Sequence, residues 1–120
     1  MELLYRHIEV ERNQDVCCVR LRSQKMGESD ILAMADELLS LIRDQGCRKM
    51  IFCLGPGSLD MLFSIFLAKL LMIRRRLSEQ GGVLKLCNVS PEIMEVFEAC
   101  HLRSHFEFVS DQASAVAALL

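Results

Sequence analysis

Hydrophobic and polar positions along the chain repeat with two different periods, and the switches between them mark the elements. From Tyr5 to Arg12 they alternate, with Ile8 and Val10 on one face and His7, Glu9 and Glu11 on the other, which predicts a half-buried strand. Asn13-Gln14-Asp15 is turn chemistry, and Val16–Arg22 alternates again, Cys17, Val19 and Leu21 opposing Arg20 and Arg22. The pair reads as a β-hairpin. After the polar connection Ser23–Glu28, Ser29 is placed to cap a helix with Asp30 in its first turn, where the helix dipole favours a negative charge. Ile31, Met34, Ala35, Leu38, Leu41 and Ile42 then recur every three or four residues, and Gly46 ends the helix.

Lys49–Leu54 carries Met50, Ile51, Phe52 and Cys53 in unbroken succession, as a strand buried on both faces requires. Gly55-Pro56-Gly57-Ser58 breaks the chain, and a helix follows from about Ser64 to Gln80. Phe66, Leu70, Ile73 and Leu77 mark its core side, and Gly81-Gly82 stops it. Val83–Cys87 is another buried strand. Ser90-Pro91-Glu92 begins a helix with a hydroxyl cap, a proline where no amide partner is needed and an acid in the first turn; Ile93, Val96, Phe97 and Cys100 form its stripe. Phe106–Val109 is short enough for an edge strand, and Asp111–Leu120 closes the chain as a helix. The order ββαβαβαβα predicts a single α/β domain over residues 1–120, with a mixed sheet of about five strands and about four helices packed on it.

Composition narrows the chemistry. Lys+Arg 14 against Asp+Glu 16 gives a net charge of −2, the wrong balance for direct nucleic-acid binding, which rests on many basic contacts to phosphate. The six cysteines, at 17, 18, 47, 53, 87 and 100, contain no C-x-x-C pair, so no metal is expected. Cys17, Cys18, Cys53, Cys87 and Cys100 fall on strands or a helix stripe and read as core filler. The first ten residues lack a secretory leader, and Met61–Ile73, interrupted by Ser64 and Lys69, falls short of the roughly 20 residues of a membrane helix. A cytoplasmic protein with no membrane association is expected.

An enzyme would need a nucleophile, an acid/base pair or a cofactor cradle. Cys100, His101 and His105 lie close in sequence, as a metal site or an activated thiol would require, but they also fit a buried cysteine followed by a loop between helix and strand. Gly55-Pro56-Gly57-Ser58 lacks the lysine of a phosphate-binding loop and the spacing of a dinucleotide fingerprint, which leaves turn chemistry. Arg74-Arg75-Arg76 complements the negative end of its helix as a solvated face and could also touch an acidic partner. No catalytic residue and no cofactor are expected. Leu59, Met61, Leu62, Phe63, Ile65, Phe66 and Leu67 crowd one helix start on several sides, either to pack on neighbouring helices or to meet a partner.

Several local phrases in this order carry a resemblance. Gly46-Cys47-Arg48-Lys49 precedes a buried strand, Arg74–Leu77 leads to Gly81-Gly82, and Leu84-Lys85-Leu86-Cys87-Asn88-Val89-Ser90-Pro91-Glu92 runs on to Val96-Phe97. Over nearly its whole length the chain resembles the STAS domain, the fold of bacterial anti-sigma factor antagonists and of the cytoplasmic portion of sulfate transporters. That family's signature, D-S-S-G-L-G, opens the second main helix, and a partner kinase phosphorylates its first serine. Counting back from Gly81-Gly82 sets Phe63-Ser64-Ile65-Phe66-Leu67-Ala68 on the signature, where only Ser64 and Leu67 survive. Phe63 stands in place of the acid and Phe66 in place of the glycine.

The resemblance implies a non-enzymatic regulator of transcription that binds a kinase-like anti-sigma ATPase, with Ser64 as phosphoacceptor. Its contact residues would be Asp60, Phe63, Ser64, Ile65, Phe66, Leu67 and Lys69. Ser64 would alternatively do no more than cap its helix. The other reading of the domain is a constitutive interaction or scaffold module, not phosphorylated, that self-associates or binds a partner through Phe63, Ile65 and Phe66.

Overall fold

The structure, a computed structural model, describes residues 5–55 and 57–120. Met1–Leu4, and Pro56 of the expected turn, lie outside the described residues. The elements run β1 (Ile8–Asn13), β2 (Val16–Leu21), β3 (Lys25–Met26), α1 (Glu28–Arg43), β4 (Lys49–Cys53), β5 (Asp60–Met61), α2 (Phe63–Glu79), β6 (Val83–Cys87) and α3 (Pro91–Ala99). A 3₁₀ turn (Arg103–His105), β7 (Glu107–Val109) and α4 (Gln112–Leu119) complete the chain.

Five strands form one sheet in the order β1-β2-β4-β6-β7. The β1–β2 hairpin is antiparallel, with Val10 opposite Val19, and every later pair is parallel, as helical crossovers demand. Alternation within the strands sorts two cores. Cys17, Val19, Met50, Phe52, Leu84 and Leu86 meet the buried stripes of α1, α2 and α3 on one face. Val16, Cys18, Ile51, Cys53 and Cys87 meet Ala115 and Val116 of α4 on the other. Covering both faces is what made β4 a continuous apolar run. Phe52 and Phe66 meet edge to face with centroids 6.4 Å apart, tying the central strand to α2.

The expected order holds, with two additions and several corrections. β3 and β5 pair in parallel as a separate two-stranded sheet, Lys25 opposite Asp60 and Met26 opposite Met61, inside segments expected to be irregular. Helix α1 begins before Ser29: the cap is Gly27, whose amide donates to Asp30 Oδ2 at 2.9 Å, so the carboxylate reaching back sets the start. Cys100, expected in a buried stripe, is exposed, because α3 ends at Ala99 and Cys100 already caps its C-terminus. Cys53 and Cys87, expected as core filler, are buried in the core, stand opposite each other in the β4–β6 register and are in addition joined as a disulfide.

Two glycines hold the connections close to the sheet. A Cβ on Gly55 would lie 2.4 Å from the Asn88 carbonyl, so the loops after β4 and β6 touch backbone to backbone. A Cβ on Gly82 would lie 2.3 Å from the Arg48 carbonyl, which also accepts the Val83 amide at 2.8 Å. The α2–β6 turn is thereby clamped to the start of β4.

Candidate functional site

The N-terminal turn of α2 is set by what surrounds it rather than by a cap of its own. The β4–α2 loop is pinned at Gly55 against Asn88, and further on the Asp60 amide donates to the Gln24 carbonyl at 2.7 Å. Leu62 occupies the N-cap position and offers no side-chain acceptor, and the first helical bond runs from the Phe66 amide to the Leu62 carbonyl at 3.1 Å. The first turn contains no acidic residue. Its leading N–H groups and the positive end of the dipole are therefore not satisfied by any side chain of the helix start.

Ser64 sits at the second position of this helix, exposed, with no side-chain hydrogen bond among the described residues. It does not cap the helix, since that position belongs to Leu62. The rest of the expected contact set divides. Asp60 is exposed, and Phe63, Ile65 and Lys69 are half-buried. Phe66 and Leu67, 0% and 3% exposed, point into the core and leave the contact surface. The physical reason is helical phase: with Phe63 as first residue, 66, 67, 70, 73 and 77 share the face that packs on the sheet. Leu59 and Met61 also pack partly against that core. The apolar crowding at the helix start is thus mostly interior packing, with one exception. Leu62 is 51% exposed and is the outward apolar group of this helix start. A large aliphatic residue at a cap position, where hydroxyl or amide side chains are preferred, was the signal for it.

Other chemistry-bearing groups lie elsewhere. Cys100, His101 and His105 are all exposed, and among the described residues no group of three or more His, Cys, Asp and Glu could hold a metal ion. Buried Cys17 and Cys47 interact, which draws the Cys17 pKa down and, with burial, pushes that of Cys47 up, while the Cys47 thiol donates to the Lys49 carbonyl at 3.9 Å. No helix of the described residues is long and apolar enough to cross a membrane.

Comparison with known proteins matches this architecture. The STAS domain profile fits residues 7–115. The chain is 33% identical over 75 residues to BtrV of Bordetella bronchiseptica, which carries the name of an anti-sigma factor antagonist; the match spans 62% of this chain and 63% of that relative. Among solved structures, an anti-sigma-factor antagonist (STAS) domain protein from Planctomyces limnophilus superposes with a TM-score of 0.79 at 25% identity, covering 92% of this chain and 96% of its own. A Thermotoga maritima protein described as an anti-sigma factor antagonist gives 0.78 at 16% identity, covering 92% of each chain, and so shares the fold. With the profile covering most of its length, this chain belongs to the STAS domain family, in a form similar to anti-sigma factor antagonists.

Proposed function

We propose that the protein is a non-enzymatic cytoplasmic regulator that works as an anti-sigma factor antagonist. It binds a kinase-like anti-sigma ATPase through the N-terminal turn of α2, and phosphorylation of Ser64 switches that contact off. The observation that carries the reading is the placement of Ser64: an exposed hydroxyl on a helix start with no side-chain cap, two residues after exposed Leu62. A phosphate there adds about −1.5 to −2 charges, which the free amides and the dipole favour. The same charge makes the apolar Leu62 surface a poor match for a hydrophobic partner. Loss of the signature's acid at Phe63 removes a repulsion rather than a ligand for the phosphate. Phe66 occupies the signature's glycine position but is buried, so its ring adds no bulk on the outward face.

The test is incubation with the cognate anti-sigma kinase and ATP, read by intact mass. The wild-type chain gains one phosphate and Ser64→Ala gains none; an unmodified wild type, or a Ser64→Ala chain that is still modified, sinks the switch. The second reading, constitutive association, is favoured by the exposure of Leu62 and by how little of the signature survives. Gel filtration of Leu62→Asp separates the two, because Phe66, the anchor expected from sequence, is in the core. A wild-type dimer that becomes monomeric in Leu62→Asp supports self-association, and a monomer in both chains counts against it.

A further inference from the structure

At the far end of α2, some 12 residues or about 18 Å along the helix from Ser64, the C-terminal turns of α1 and α2 and the residue before β4 enclose a cleft of about 230 Å³. Leu39 and Ile42 supply its apolar lining, and Arg43, Arg48, Arg76 and Gln80 supply the rest. No carboxylate lines it. We propose that this cleft is a binding site for a phosphate group, carried by a small anion or a lipid headgroup, distinct from the partner face at the α2 N-terminus.

Three observations converge on that chemistry. Arg48 is fixed in place: Nη1 donates to the Ile42 and Cys47 carbonyls at 2.9 and 2.8 Å, and Nη2 donates to Gln80 Oε1 at 3.3 Å. Its backbone is clamped by Val83 and Gly82, which holds the main chain from which the guanidinium reaches those acceptors. Those bonds leave two of its five N–H donors for a ligand. Arg76 makes no hydrogen bond or ion pair among the described residues, although its neighbour Arg75 is paired with Glu79. Arg43 is bound to Asp44 at 3.2 Å, and Asp36 also acts on it electrostatically, but neither carboxylate lines the cleft.

Helix dipoles account for one cation at each C-terminus, and α1's last carbonyls account for Arg48. Neither accounts for three arginines lining one cleft, where like charges gathered without a lining carboxylate favour an anion. Guanidinium forks match phosphate oxygens, and a dianion answers the surplus charge better than a single carboxylate does. The volume lies below that of drug-sized sites, roughly 300 Å³ and more, which restricts the occupant to a small anion or the head of a larger molecule.

The test is a titration of the isotope-labelled full chain with pyrophosphate, read at the Arg48 Nε and Gly82 amide resonances, beside co-sedimentation with phosphatidylglycerol and phosphatidylcholine vesicles. Saturable shifts at both resonances that weaken with salt, with affinity reduced at least about tenfold in R43Q/R76Q and unchanged in R74Q, support a site for a soluble phosphate anion. Sedimentation with phosphatidylglycerol alone, lost in R43Q/R76Q and kept in R74Q, supports the same site filled from a membrane. Arg43 and Arg76 are exposed, so unchanged melting of the double variant verifies that folding is intact. The proposal is overturned by the absence of both saturable shifts and sedimentation, by binding that R43Q/R76Q leaves intact, or by an equal loss in R74Q.

Discussion

Replacing Phe66 with alanine tests the helical phase on which the site rests. Phe66 is 0% exposed and packs edge to face on Phe52, so truncation removes a full aromatic side chain from the interior and leaves a cavity beside the central strand. Such changes cost about 3–5 kcal/mol. A chain of this length has an unfolding entropy near its midpoint of about 0.25 kcal/mol/K, so the melting temperature falls by about 12–20 °C. Leu62, 51% exposed, is the matched control. Having only about half of a leucine's burial to lose, Leu62→Ala costs about 1 kcal/mol, or about 4 °C. Calorimetric melts and urea titrations of both variants decide the matter. A Phe66→Ala chain that melts within a few degrees of Leu62→Ala would mean that α2 is rotated and that the residues assigned to core and surface have been exchanged.

Two further outcomes follow from the geometry. Gly82→Ala places a methyl group against the Arg48 carbonyl, a backbone atom that cannot yield, so it destabilises by about 1–3 kcal/mol in denaturant titration and shifts the Arg48 resonances; a neutral result would refute the clamp. Asp111 caps α4 by accepting the Ser114 amide at 2.7 Å, which holds its carboxyl below the ordinary value of 3.8. A depressed carboxylate contributes stability above its unfolded-state pKa and loses it as pH falls through the folded value, so the contribution is complete at neutral pH and fades in acid below about pH 4. Asp111→Asn keeps an acceptor at the cap and should flatten that acid limb in melts followed from pH 7 downward; an unchanged acid limb would show that the cap carries no charge effect.

Much of this was legible in the sequence because it is periodic. The stripe Ile31–Ile42 and the run Phe66, Leu70, Ile73, Leu77 fixed two helices and their buried faces, and the unbroken Met50–Cys53 run announced a strand covered on both sides. β3 and β5 were not legible, since two-residue strands show no alternation and depend on a partner far along the chain. Reading Phe66 and Leu67 as contact residues conflated local apolar density with exposure; the stripe that includes Phe66 already assigned it to the core. Ser64 was legible as a residue near a helix start, but its relation to that start depended on where α2 begins, which a backbone bond to Leu62 decides. That Arg43, Arg48 and Arg76 line one cleft depends on how α1, α2 and the start of β4 pack, with Arg48 bonded to the Ile42 and Cys47 carbonyls and to Gln80, and no local pattern points to it.

The proposed partner face is the outward side of the α2 start, around Leu62 and Ser64. A photo-crosslinking residue installed at position 62, with exposed Glu95 on α3 as the control position, tests it in mixtures with the cognate anti-sigma ATPase. The expected result is a crosslink from position 62, none from position 95, and loss of the first when Ser64→Asp is added. A crosslink from position 95 alone, or one from position 62 that Ser64→Asp leaves at full yield, would contradict it.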